Sequence, residues 1–265
     1  MGGWCAKYCI IEIMHFVDTH CHIHDANYPL DIGDTIRRAH DAGVGQMICV
    51  GTSEESSRRA VNFSAQHQGL YASIGVHPHD TKEGWQQIAA LASQQNSKVV
   101  AVGEIGLDYF YTHSPRDTQI RALEEQIDIA IRHNLPIIFH VREAFDDFWP
   151  IFDNFPGIRG VLHSFTDSTE NMEKALKRSV FIGVNGISTF TKDMPQQEMF
   201  AQIPLEKMLL ETDAPFLTPK PLRGKVNEPA FVKHVAEFHA AKRNVTLEEI
   251  AKQTTANARA LFALS

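Results

Sequence analysis

Residues 16–25 read FVDTHCHIHD, and the architecture of the whole chain can be argued outward from them. Phe16 and Val17 open an apolar strand, and acidic and imidazole side chains then recur at every second position. Alternate side chains of a strand face the same way. Asp18, His20 and His22 therefore share one face, and Thr19 and Cys21 take the other. Two imidazoles about 7 Å apart along a strand can converge on one cation if the backbone bends at the strand's end. Taken alone, His-x-His is more simply a pair of hydrogen-bonded histidines. The rest of the chain has to separate the two readings.

Composition narrows the classes. The 265 residues are 43% hydrophobic and 22% charged, ordinary values for a globular chain long enough for one large domain. A net charge of −7 argues against a surface that coats nucleic acid broadly, so a polyanion would have to be captured by a local basic patch or by metal. Cys5, Cys9, Cys21 and Cys49 lack zinc-site pairing and disulfide-rich density, which points to a reducing compartment and a cytoplasmic protein. Residues 1–14 hold a short apolar run interrupted by Glu12, too short to span a membrane and without a cleavage signal. They read as an extension outside the fold, which leaves residues 15–265 as one domain.

Downstream, helices and short apolar runs alternate. Helices are expected over 31–43 (ending at Gly43), 53–68 (capped by Ser53), 82–95 and 116–134, with strands over 46–51, from 71, over 99–105, 136–141, 160–165, 181–186 and 207–214. Ile120, Leu123, Ile127 and Ile131 mark the apolar stripe of the fourth helix. Thr246 and Glu249 form a capping-box pattern that opens a helical region running to Leu264. Eight strands apolar on both faces, separated by helices, predict an α/β fold, a single (β/α)8 TIM barrel. A doubly wound open sheet is the alternative, but no Gly-x-Gly-x-x-Gly follows the first strand.

In such a barrel, chemistry sits where strands end. That rule selects His20 and His22, His77 and His79, Glu104 and Asp108, His140 and Arg142, His163, and Glu211 and Asp213. Core histidines could explain one or two of these ends, not all of them. His20, His22, Glu104, His140, His163 and Asp213 are too many donors for one catalytic ion with an open position. They suit two divalent ions that share a carboxylate and stabilise both the attacking and the leaving oxygen at phosphorus. Glu104, on the fourth strand, is the expected bridge, and Asp213 the expected proton acceptor.

FVDTHCHIH, GVHPHD, GEIGLDYF, FHVRE, VLHSF, LLETDAPFL, RGKVNEP and TTANARALF, in this order, resemble the successive motifs of the TatD family of metal-dependent deoxyribonucleases. The resemblance runs from about residue 15 to the end. It implies a metallo-dependent hydrolase barrel with His20, His22, Glu104 and Asp213 around one ion and Glu104, His140 and His163 around the other. It also implies a hydrolase that cleaves phosphodiester bonds, expected here to be a 3′-5′ exonuclease acting on DNA as single strands or duplex ends. The chain departs from the family's opening motif at His24, where Asp or Asn is usual; His24 is read as a solvated loop histidine.

Other roles follow from position. Asp18 and Glu211 lie two residues deeper than ligands and are candidates to orient histidines, with a structural bond to backbone as the plainer role. Arg142, on the face of His140, is a candidate phosphate clamp, and His77 a substrate or leaving-group contact; Asp108 and His79 are placed on loops over the same mouth. Arg223 and Lys225, with Lys220, form the local anchor for a polyanion, and Asn227 and Glu228 fix that loop. The glycines of GEIG and GVNG read as close packing within the barrel.

The donor set admits Mg, Mn, Zn or Fe. No membrane association and no obligate protein partner is evident. An amidohydrolase or esterase acting on a small molecule is the competing reading, disfavoured because Glu104 stands where many such enzymes carry a modified lysine. A non-catalytic metal-binding scaffold is the third.

Overall fold

The computed structural model describes residues 14–265. The upstream extension, with Cys5 and Cys9, lies outside the described residues, while Met14 itself packs against the core. Eight strands follow one another round a single parallel sheet: β1 Phe16–Cys21, β2 Val44–Val50, β3 Leu70–Ile74, β4 Val99–Asp108, β5 Ile137–Arg142, β6 Gly160–Leu162, β7 Phe181–Val184 and β8 Met208–Leu210. The ring closes between its first and last strands through a parallel bridge of Cys21 with Ala214. At this seam the Asp213 N–H donates to the His20 carbonyl (2.8 Å) and the His22 N–H to the Ala214 carbonyl (2.8 Å). Closure of the barrel therefore sets three candidate ligands side by side.

The helices cover the outside: α1 Ile32–Asp41, α2 Glu54–Ala65, α3 Gln87–Ser93, α4 Arg116–Arg132, α5 Phe145–Asp153, α6 Thr169–Lys177, α7 Ile187–Phe190, α8 Met194–Gln202, α9 Val232–Arg243 and α10 Leu247–Phe262. The larger apolar cluster lies between strands and helices. A smaller one gathers Val17, Ile48, Tyr71, Val100, Ile138, Val161 and Leu209, one from each of seven strands, with Leu261 and Phe262 of α10. The Thr246–Glu249 capping box is formed at the start of α10, each partner bonding the other's backbone N–H.

Three expectations shift. The helix expected over 82–95 is a 3-10 turn, Pro78–Glu83, followed by the short α3, because His77 caps the turn through its own Nδ1 and Gly84 ends it at φ 105°. β4 runs on to Asp108, which is thus a strand residue rather than a loop residue, and β8 stops at Leu210. The apolar stripe of α4 ends early, since Ile131 is 41% exposed while Gln119 and Gln126 are buried. Those two amides hold backbone at the mouth. Gln119 accepts from the Asp108 N–H (2.9 Å) and donates to the Asp108 carbonyl (3.1 Å). Gln126 accepts from the Val76 N–H (2.8 Å), directly before His77.

His239 of α9 makes a separate prediction. It is buried, its Nε2 lies 3.0 Å from Ser188 Oγ, and Ser188 Oγ donates to the Asn185 carbonyl (2.8 Å), so the imidazole donates. Burial first, and Arg243 beside it second, lower its pKa from 6.5 to about 3. Below pH 6.5 the unfolded chain takes up a proton that the folded protein refuses, so this residue costs stability as the pH falls from 6.5 towards 3. His239→Gln keeps a donor for Ser188 and removes that term. Its urea midpoint should fall less than the parent's between about pH 7 and pH 4.5. Parallel acid limbs would show that His239 is not the responsible group.

Candidate metal centre

The strand ends bring one set of donors together at the barrel mouth. His20 Nε2 lies 3.2 Å from His22 Nε2, 3.4 Å from Glu104 Oε2 and 3.7 Å from Asp213 Oδ1, and His22 Nε2 lies 3.3 Å from the same Asp213 oxygen. The other carboxylate oxygen of Glu104, Oε1, lies 2.9 Å from His140 Nδ1 and 3.5 Å from His163 Nε2. Atoms bound to one ion at about 2.1 Å stand roughly 3.0–3.5 Å apart. The spacing fits that condition among His20, His22 and Glu104, whereas the His163 ring, stacked 3.5 Å from that of His20, groups with His20 and Asp213 and stands 6.3 Å from the His140 ring. Five of the six, His22, Glu104, His140, His163 and Asp213, line one cavity of about 570 Å³, and His20 is fully buried beside them.

Hydrogen bonds behind the rings decide which nitrogen faces the centre. His22 Nδ1 lies 3.0 Å from the Val50 carbonyl, which can only accept, so Nδ1 carries the hydrogen and Nε2 is free to ligate. His140 is held through Nε2 by Asp108 Oδ2 (3.0 Å), which frees Nδ1 towards Glu104. His163 Nδ1 lies 3.0 Å from Glu211 Oε1, a close contact rather than an aligned hydrogen bond, and Nε2 faces inward. His77 is the opposite case. Its Nδ1 accepts from the His79 N–H (3.1 Å), so the neutral ring carries its hydrogen on Nε2, aimed at the centre 3.7 Å from Glu104 Oε1. The geometry groups His77 with Glu104 and His140, yet its tautomer makes it a donor rather than a ligand.

The protonation pattern is that of a cation site filled by protons. Burial alone would raise the Glu104 pKa, but His163, His77, His140 and His20 together hold it well below the usual carboxylate range. Asp213 is lowered, burial being outweighed by His22, His163 and His20. Burial opposes a charge on His163, but Glu211, Glu104 and Asp213 push its pKa up to about 10. His140 rises against burial through Asp108 and Glu104, whereas burial and the adjacent His163 lower His20. A divalent cation would displace these protons and satisfy the same carboxylates. The donor set fits such an ion.

The surrounding residues sort differently from the expectation in places. Asp18 does not reach an imidazole ring: it accepts the backbone N–H groups of Thr212 (2.9 Å) and His20 (3.3 Å) and the Thr212 hydroxyl (2.5 Å), and burial raises its pKa to about 8. It fixes the seam backbone instead. Glu211 does face His163 and also accepts from the Ser164 N–H (2.6 Å). A Cβ on Gly183 would fall 2.5 Å from the Glu211 carboxylate, and one on Gly106 would overlap the His140 carbonyl oxygen, so both glycines serve close packing. Asp108 joins His140 to His79, 2.9 Å away on the same oxygen.

His24 is corrected outright. It is 6% exposed, hydrogen-bonded to Ser56 Oγ (3.1 Å), and burial lowers its pKa to about 3, so it is a neutral core histidine rather than a solvated one. Arg142 lines the cavity, exposed, with its guanidinium 3.8 Å above the Phe110 ring. Arg223 lies over Phe190 (3.9 Å) and donates to the Thr218 carbonyl (2.8 Å); neither it nor Lys225 lines the cavity. Asn227 fixes the loop, donating to the carbonyls of Thr212 (2.8 Å) and Phe216 (2.5 Å).

A parallel barrel with this buried imidazole–carboxylate cluster at its mouth defines a metal-dependent hydrolase. Residues 17–263 match the family model described as TatD related DNase, and the chain belongs to the TatD family. It is 39% identical over 254 residues to the uncharacterized metal-dependent hydrolase YabD of Bacillus subtilis, covering 94% of this chain and 99% of that one. It is 36% identical over 251 residues to the 3′-5′ ssDNA/RNA exonuclease TatD of Salmonella typhimurium, covering 89% and 95%. The crystal structure of YjjV, a TatD homolog from Escherichia coli, superposes with a TM-score of 0.88 at 32% identity, covering 96% of this chain and 100% of that one. Among the described residues, no helix is long and apolar enough to cross a membrane.

Proposed function

We propose that this hydrolase is a cytoplasmic 3′-5′ exonuclease that cleaves terminal phosphodiester bonds of single-stranded DNA, holding two divalent ions, Mg, Mn or Zn, on the two sides of Glu104. The observation that carries the reading is the split of Glu104. One carboxylate oxygen faces His20, and through it His22 and Asp213, while the other faces His140 and His163. Relatives named as 3′-5′ ssDNA/RNA exonucleases support the nucleic-acid substrate. When bound, ions in these positions supply Lewis-acid stabilisation of a displacement at phosphorus and lower the pKa of the attacking water.

The chain's own residues do the rest. Asp213, its carboxyl kept ionised by His22, His163 and His20, accepts the water's proton on the carboxylate oxygen other than Oδ1, which faces His22. His77 presents Nε2–H to the leaving oxygen, its tautomer set by the His79 backbone. Arg142, steadied on Phe110 and free of any ion pair among the described residues, turns its remaining donors to a phosphate oxygen.

The test is reconstitution. Protein stripped with chelator and reloaded singly with Mg, Mn or Zn is offered 3′-labelled single-stranded DNA, RNA, duplex DNA and small carboxylic esters. The expected result is release of labelled mononucleotide from single strands and up to two ions per chain by metal analysis. Hydrolysis of the esters with every strand left intact would replace the nuclease by the small-molecule hydrolase.

A further inference from the structure

Exposed aromatic rings are concentrated at one place in this molecule. Among the described residues the exposed large aromatics are Phe110 (48%), Tyr111 (41%) and Phe216 (60%). Phe110 and Tyr111 follow β4, and Phe216 follows β8. In a ring of eight strands taken in order, β4 and β8 lie opposite one another, so the rings stand on two facing rims of one mouth. Rings scattered singly over a surface are ordinary, but rings gathered at the rims of one polar cavity mark a place where a ligand can stack.

The two rims differ. Phe110 is occupied: Arg142 lies flat over it at 3.8 Å and Tyr111 meets it edge-on at 4.6 Å. That wall presents a guanidinium. Phe216 lines the cavity, and among the described residues no aromatic or cationic group is stacked on it. Its backbone is nonetheless fixed, because the Phe216 N–H donates to the Asp213 carbonyl (2.8 Å) and the Phe216 carbonyl accepts from Asn227 Nδ2 (2.5 Å). The ring is displayed by a rigid turn three residues from a candidate ligand, so stacking a partner on it orders little further backbone.

Given the nuclease reading above, on which this rests, we infer that Phe216 is the base-stacking platform for the unpaired terminal nucleotide, whose phosphate lies towards Arg142 on the opposite wall. Every nucleobase has a π-face, so such a platform is tolerant of sequence but needs a base that is free of its own strand's stack. A paired terminal base must first leave its helix, which gives the site a preference for single strands without reading any base edge.

The experiment compares the parent with Phe216→Ala and Phe216→Trp on two oligonucleotides that differ only in carrying a normal or an abasic 3′-terminal nucleotide. Phe216→Ala should raise KM for the normal strand about tenfold, towards the lower end for loss of one base–aromatic stack, leave kcat within about twofold, and leave the abasic strand unchanged. Phe216→Trp should restore the normal KM. Equal changes on both strands, or no change on either while the parent cleaves, would overturn the inference and leave the nuclease reading standing. A second readout does not require cleavage: quenching of a 3′-terminal 2-aminopurine on binding to Glu104→Gln protein, lost when Phe216→Ala is added. If no metal supports cleavage by the parent, the nuclease reading fails. Quenching that still depends on Phe216 would then establish the platform alone, and absent quenching would end both.

Discussion

Glu104→Gln is expected to fold, to bind metal poorly and to cleave a labelled single strand at least about a hundredfold more slowly than the parent, the lower range for removal of a group that takes part in the chemical step. The side chain is 4% exposed and its two oxygens face two different sets of imidazoles. An amide of the same size keeps one carbonyl oxygen, enough to bind on one side. On the other it presents an N–H group to nitrogens whose lone pairs already point inward, so the shared position is lost. The fold survives because each outer ring has its own support: His140 is tied to Asp108, His163 faces Glu211, and the seam beside His20 is held by Asp18 through the Thr212 backbone. Circular dichroism, metal content and the rate at saturating metal separate the effects. A variant that cleaved near the parent rate with two ions bound would remove Glu104 from the centre.

That these imidazoles and carboxylates meet at one mouth was legible in the sequence, because strand periodicity and the strand-end rule need only the strand pattern. His20 and His22 alternate within β1, and His140 and His163 sit at the ends of β5 and β6, so their convergence needed only the barrel. Roles that depend on a partner far along the chain were not legible. The His77 tautomer is a different case: its partner, the His79 N–H, is only two residues on, but the 3-10 turn that brings it onto Nδ1 is not announced by the residue types. Gln119 and Gln126 look like breaks in an apolar stripe, yet each satisfies backbone at the mouth, and their signal was two amides seven residues apart on one helix face. His24 was misjudged because its covering partner, Ser56, belongs to α2. Phe216 is apolar, and no pattern rule places an apolar residue in solvent; its exposure comes from the turn that Asn227 holds from eleven residues away.

Asp213→Asn should be the cleaner of the two losses. Asp213 lies at φ 59°, in the left-handed region that Asn enters about as readily as Asp, so the exchange leaves the seam backbone unstrained. The Asp213 N–H still donates to the His20 carbonyl. What disappears is one charge, 3.3 Å from His22 Nε2 and 3.7 Å from His20 Nε2, and with it the proposed proton acceptor. Glu104 keeps its contacts with His140 and His163, although His163 loses one of the carboxylates that raise its pKa, so at saturating metal this variant should keep more bound ion than Glu104→Gln. Its KM for the strand should stay within a fewfold of the parent if, as proposed, Arg142 and Phe216 rather than this carboxylate hold the strand. The chemical rate should nevertheless fall at least about a hundredfold, since a carboxamide cannot take a proton from water near neutral pH. Loss of rate with KM and metal content preserved is the signature of a proton acceptor; loss that vanishes at high metal would reduce Asp213 to a ligand. A rate near the parent's at saturating metal would mean that neither role belongs to it.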